Sequence, residues 1–129
     1  MLKKSLIIAA AVVPVVIVSA VAQQSAIKRT PLQTVDFPPG FNVVSAIAEI
    51  APGNCAGRHT HPGDEYGTVV EGTLVTRQDG GEWKTLEAGQ SYYVPAGVVH
   101  ETKNTGEKAA RSYNGFIVDK GKPRATPVQ

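Results

Sequence analysis

The chain has one cysteine, Cys55, so no disulfide can close within it and its fold does not rest on a stapled framework. It has no marked excess of charge: 13 basic residues stand against 11 acidic ones, and two of the basic ones, Lys3 and Lys4, lie at the extreme N-terminus. Beyond them basic and acidic residues balance. Such a chain lacks the basic stripe that nucleic-acid binding requires and the polybasic cluster that marks a membrane surface. No internal repeat is found, and no apolar period of helical spacing occurs after Ala22, which excludes helical bundles and solenoids. There are only three histidines, His59, His61 and His100.

Met1 to Ala22 reads as an export signal. Lys3 and Lys4 form a basic head, Leu6 to Val18 an apolar core, and Ala20-Val21-Ala22 places small residues where a signal peptidase inspects the chain, predicting cleavage before Gln23. A membrane anchor is the competing reading, but the run carries Pro14 and Ser19 and falls short of the ~18 to 20 residues a spanning helix needs. The residue directly after the expected cleavage is Gln23 rather than a cysteine that could carry a lipid. The expected location is therefore periplasmic or secreted, with no membrane association after cleavage. What remains, Gln23 to Gln129, is of a length that supports one domain. A domain of that size buries only about 60 to 70% of the surface of its unfolded chain. Closing its sheet into a barrel, or pairing two subunits, would add the burial it needs.

Residues 23–40 show little pattern and read as an N-terminal arm in which Ala26 to Arg29 can form an edge strand before the turn-rich Phe37-Pro38-Pro39-Gly40. Phe41 to Ile50, rich in Val, Ile and Ala, predicts a buried strand. Gly67 to Val70 and Thr73 to Thr76 predict strand on either side of Glu71-Gly72, where a glycine bend suits a barrel corner. Asp79-Gly80-Gly81 is a hairpin signal leading to Glu82 to Leu86, Ser91 to Val94 leads to Pro95, and Arg111 to Val118 is a last strand. Residues 119–129 are expected to form a loosely ordered tail. Short strands with closely spaced turns predict an all-β sandwich or barrel.

Within this frame His59 and His61 stand two apart, which on a strand turns both imidazoles to one face. Pro62-Gly63 suits a tight reversal, with Gly63 taking positive φ and Asp64 satisfying loop backbone, and the chain then delivers Glu65. Imidazoles and a carboxylate so placed are the ligand types of a transition-metal site. His100 follows Pro95-Ala96-Gly97, read as a type I turn with Pro second and Gly fourth, on a strand Val98 to Thr102 whose alternation groups Val98, His100 and Thr102. Each histidine taken alone is as well read as structural. Cys55 reads as a small core residue or, by parity, a neighbour of His59; Arg58 faces out; Tyr92 or Tyr113 is the tyrosine to look for at a pocket.

The spacings then carry a resemblance. Gly53, His59, His61, Glu65 and Gly72 match the first signature motif of the cupins, and Gly89, Pro95, Gly97, His100 and Asn104 match the second. Ten such coincidences have a probability of roughly one in 10¹² at ordinary residue frequencies. The chain thus resembles the cupins from about Val43 to Val118. The resemblance implies a single small jelly-roll (double-stranded β-helix) barrel at 41–118, in which His59, His61, Glu65 and His100 hold one divalent transition metal. Iron or manganese is favoured, with nickel, cobalt, zinc and copper as alternatives. Cupins with these ligands include dioxygenases, oxalate-degrading enzymes, isomerases and proteins that only bind a metal or small ligand. The resemblance implies a metal-dependent, oxygenase-like enzyme acting on a small molecule, with Glu65 as the catalytic carboxylate, or else a non-catalytic metal- or ligand-binding cupin. The family's habit of pairing barrels implies a homodimer.

Overall fold

The computed structural model describes residues 27–36 and 39–129; the expected signal segment lies outside the described residues. Among the described residues there are ten strands and no helix. In chain order they are β1 (Ile27–Asp36), β2 (Phe41–Ile50), β3 (His59–Thr60), β4 (Gly63–Glu71), β5 (Thr73–Gln78), β6 (Lys84–Glu87), β7 (Ser91–Val94), β8 (His100–Lys103), β9 (Ala110–Asp119) and β10 (Thr126–Pro127). They make two five-stranded antiparallel sheets, ordered β1-β2-β9-β4-β7 and β10-β3-β8-β5-β6. This is an all-β jelly-roll barrel, as the turn spacing and the motifs predict.

Alternation sets what faces inward. On β4 the side chains of Glu65 and Val69 are buried while Tyr66 and Val70 are exposed; on β9 Ala110, Ser112, Asn114, Phe116 and Val118 are buried between exposed Tyr113 and Ile117. The interior holds two apolar clusters. Ile27, Ile50, Ala56, Val69, Leu74 and Ala110 form one, and Val44, Ala46, Phe116 and Val118 the other. Each fully buried Leu or Val contributes about 1.5–3 kcal/mol relative to leaving it exposed.

The corner predicted at Gly72 is present: its φ is 74°, and the chain passes there from β4 in one sheet to β5 in the other. The Asp79-Gly80-Gly81 hairpin is present too, joining β5 to β6 with Thr76 opposite Lys84.

Six expectations are corrected. The edge strand expected at Ala26 to Arg29 runs to Asp36 and pairs with β2, Ile27 opposite Ile50 and Asp36 opposite Asn42. The tail is not loose, because Thr126 and Pro127 pair with Thr60 and His59, and the Val128 amide donates to the Arg58 carbonyl at 3.0 Å. Pro62-Gly63 does not reverse the chain; it carries it across from one sheet to the other. Gly63 is needed for close approach rather than positive φ, since a Cβ there would meet the Ile117 carbonyl oxygen at 1.8 Å. The turn before His100 is closed one residue later, by the Val98 amide donating to the Pro95 carbonyl at 3.2 Å, with Gly97 third at φ 75°. Lastly, β8 begins at His100 itself rather than at Val98.

Candidate metal centre

β3 and β8 pair with His59 directly opposite His100, so the neighbouring strands present two imidazoles to the interior. His61 stands just past β3, and Glu65 is the second inward-facing residue of β4. The loops carrying these residues are clipped together: the Gly97 amide donates to the His61 carbonyl at 2.9 Å, and the Ala96 amide to the Asp64 carboxylate at 3.0 Å. The backbone role expected of Asp64 is therefore filled, though toward the second motif.

All four side chains are buried, between 3 and 5% exposed. Each imidazole spends its Nδ1 on a backbone carbonyl: His59 on Gly57 at 2.8 Å, His61 on Arg124 at 2.5 Å and His100 on Val98 at 3.1 Å. A carbonyl only accepts, so the proton sits on Nδ1 and the Nε2 lone pairs are left to face the interior. One nitrogen from each ring lies within 4.8 Å of the others.

Into this group Glu65 projects Oε2, 3.1 Å from Nε2 of both His61 and His100. Among the described residues, His61 Nε2 and Glu65 Oε2 have no hydrogen-bond partner. Lone pairs cannot stand so close in a buried space unless a proton or a cation lies between them. A proton would make an imidazolium. The third ring, His59, is held neutral, burial first and the His100 imidazole second keeping its pKa down at about 4. Burial alone would push Glu65 up, but its contacts with His100 and His61 outweigh it and keep the carboxyl well below its usual range. Three imidazoles clamped at Nδ1 and one carboxylate, converging on a buried space, are the donor set that fits a divalent transition metal.

Around the donors lies a cavity of about 40 Å³, walled by strands of both sheets. Tyr92 enters it from β7. Its ring lies across Gly67, where a Cβ would come within 2.1 Å of the Tyr92 Cζ. The phenol reaches Asn114 Oδ1 at 2.8 Å and Glu65 Oε1 at 3.3 Å. Burial, and then the charge of Glu65, push this phenol well above its usual 10, so it stays a protonated donor.

The family model described as "Cupin domain" matches residues 46–116. The chain belongs to the cupin family. A germin-like protein, subfamily T member 2, of Arabidopsis thaliana is 34% identical to this cupin over 95 residues, covering 67% of the chain and 43% of that protein. Among solved structures, the DMSP lyase DddQ from Ruegeria pomeroyi DSS-3 aligns with a TM-score of 0.68 at 16% identity over 80% of the chain and 52% of the lyase. An oxalate oxidase aligns with a TM-score of 0.64 at 24% identity, over 80% and 55% respectively. At these identities the structures share the fold. The chain spans less than half the length of the germin-like protein it matches.

Of the residues singled out in the sequence, His59, His61, Glu65 and His100 come together. Asn104, the last position of the second motif, is buried with its amide donating to the Ile50 and Lys108 carbonyls, so it pins the turn after β8. Arg58 faces out and pairs with Asp79 at 2.8 Å. Cys55 is half-buried and does not line the cavity; its backbone bridges to Lys103. Tyr92 lines the cavity, whereas Tyr113 points outward to Ser45. Arg29, Ser112, Asn114 and Phe116 also line it, and the sequence reading does not single them out. Three of them share the inward parity of β9, and polar Ser112 and Asn114 on the face of Phe116 are the signal that could have found them. Arg29 leaves no such signal.

Proposed function

We propose that this cupin is a metal-dependent enzyme of the oxygenase-like kind acting on a small molecule, with His59, His61, Glu65 and His100 as ligands of one divalent ion, iron or manganese before nickel, cobalt, zinc or copper. The observation that carries this is the buried Glu65 oxygen facing two imidazole nitrogens at 3.1 Å while, among the described residues, neither it nor His61 Nε2 has a hydrogen-bond partner. The fold-level likeness to an oxalate oxidase and to a DMSP lyase supports an enzyme over a passive binder. Bound there, such an ion supplies Lewis acidity and one-electron redox chemistry.

The chain's own residues do the rest. The three carbonyl clamps hold each imidazole in one tautomer and one orientation. Glu65 is the ligand with a second role, because a carboxylate can take a proton where a clamped imidazole cannot. Tyr92 stands against its other oxygen and, being neutral, offers a hydrogen bond there. The barrel walls exclude bulk water from that exchange.

The test loads wild type and Glu65→Gln with Fe(II) or Mn(II), then measures metal content and turnover, as oxygen uptake on catechols, flavonols and small thiols and as oxalate decarboxylation. Wild type should turn over at least one substrate class, and Glu65→Gln should keep much of the metal and lose most of the rate. If wild type carries metal yet turns over nothing above free metal, the non-catalytic reading takes its place. The favouring observation for that second reading is economy: the stretch between Gly72 and Gly89 holds the β5–β6 hairpin and little else, with no substrate-selecting insertion.

Two further features belong to the proposal. The protein acts outside the cytoplasm, in the periplasm or beyond, which rests on the composition of residues 1–22. It works as a homodimer, supported by the outer face of the first sheet, where Tyr66 and Tyr93 stack at 4.8 Å beside exposed Tyr113 and Ile117. Mass spectrometry that finds residues 1–22 retained on the exported protein would refute the first; a monomeric mass by light scattering at micromolar concentration would refute the second.

A further inference from the structure

Ile27 and Arg29 are the inward residues of β1 before the strand runs out into solvent, and both line the cavity that holds the imidazoles. Arg29 therefore brings a guanidinium into a space where, among the described residues, Glu65 is the sole acidic lining residue. A second guanidinium stands close by. Arg124 lies 5.5 Å over the Phe116 ring, which also lines the cavity, and its backbone carbonyl is the one that clamps His61. Arg29 and Arg124 are near enough to repel each other, and Arg29 feels the charge of Glu65. Once a divalent cation shares Glu65, the lining of the cavity carries a surplus of positive charge.

The cavity also limits size. At about 40 Å³ it takes roughly three waters, hence an ion and a ligand of a few heavy atoms. Its remaining polar lining is made of neutral groups, Tyr92, Thr102, Ser112 and Asn114, which suit carbonyl or hydroxyl oxygens. A guanidinium fork matches a planar carboxylate in two parallel hydrogen bonds.

We propose that Arg29, flanked by Arg124, is the anion-recognition element of this site, and that its ligand is a small carboxylate rather than a neutral phenol. This rests on the metal-site reading above and narrows its substrate class. β1 and residues 119–129 then have a function beyond completing sheets, since β1 delivers Arg29 to the cavity and the C-terminal segment sets Arg124 behind the Phe116 wall.

The experiment uses Mn(II)-loaded wild type, Arg29→Gln and Arg29→Lys, with metal content measured first. Each is titrated with acetate, its neutral isostere acetamide, and inorganic phosphate, by calorimetry and by the Mn(II) electron paramagnetic resonance spectrum. Wild type should prefer acetate to acetamide and to phosphate. Arg29→Gln should retain its manganese and lose about tenfold or more of the acetate-over-acetamide preference, and Arg29→Lys should recover part of it. A merely structural Arg29 would change stability or metal content and leave that preference intact, which would overturn the proposal. Phosphate or acetamide binding wild type as tightly as acetate would overturn it too. If Arg29→Gln fails to fold by circular dichroism, Arg29→Lys carries the test: several-fold weaker acetate binding supports the fork and equal binding overturns it. If wild type takes up no metal, the metal-site reading fails, and acetate titration of the metal-free protein still decides the arginine: binding lost in the variant supports it, no binding overturns it.

Discussion

Glu65 and Val69 stand four residues apart on one strand, face the same interior and are buried alike, at 5% and 0% exposure. Their surroundings are opposite. Val69 packs with Ile27, Leu74 and Ala110, where every Å² removed from water adds stability. Glu65 sits among imidazoles, where burial costs free energy unless charge is matched. One stretch of β4 thus holds the fold together and the next is held in place by it. Loss of the site should then spare the fold, and damage to the apolar cluster should not.

The sharpest way to break this contrast is Leu74→Ala. Leu74 is 1% exposed, so its removal should cost about 2–5 kcal/mol in urea or thermal unfolding. The chains that remain folded should bind as much metal as before.

Next in size is a pH effect on chelator-treated protein. The pKa of His59 is held down at about 4, from 6.5, so the unfolded chain binds a proton that the folded one refuses. Stability should be fully present above pH 6.5 and fall as pH drops toward 4, by on the order of 3 kcal/mol if His59 acts alone. Glu65, depressed as well, loses its contribution in turn as pH falls below the ordinary carboxylate range. Urea midpoints at pH 7.5, 6 and 5 read this; a flat profile would show that burial at the site is not opposed by charge.

Smaller still is Gly67→Ala. The new methyl must displace the Tyr92 ring, costing about 1–3 kcal/mol. It should lower turnover more than metal content, because the Tyr92 phenol hydrogen-bonds the Glu65 carboxylate, and parallel activity and metal assays would separate the two. The smallest effect is expected from His59→Ala in chelator-treated protein. Its unfolding free energy should stay within about 1 kcal/mol of wild type, since one buried polar group is lost along with one carbonyl hydrogen bond.

The two halves of the contrast are also unequally legible in the sequence. The ligands can be read because their chemistry and spacing coincide: His59, His61, Glu65 and His100 are local in two short segments, and the corner at Gly72 and the hairpin at Asp79 to Gly81 are marked by glycine. Long-range pairing is less visible. Nothing in Ile27 to Asp36 alternates cleanly, because beyond Arg29 both faces of β1 are exposed, so its full pairing with β2 leaves no pattern. Thr126 and Pro127 look like tail because their strand partners, Thr60 and His59, lie in the first half of the chain. Pro62-Gly63 has turn composition, yet Gly63 is small for the sake of the Ile117 carbonyl, a neighbour no local rule can supply. Arg29 reaches the cavity, and Arg124 its Phe116 wall, only through these two terminal segments.

Metal stoichiometry tests the central claim most directly. Chelator-treated wild type, His59→Ala and His100→Ala are titrated with Mn(II) and Fe(II) anaerobically, and the bound ion is counted per folded chain by elemental analysis. The account predicts one ion per wild-type chain and a sharp fall in each variant, with the β circular dichroism spectrum of all three unchanged. Full occupancy in either variant, or no uptake by folded wild type, would contradict it.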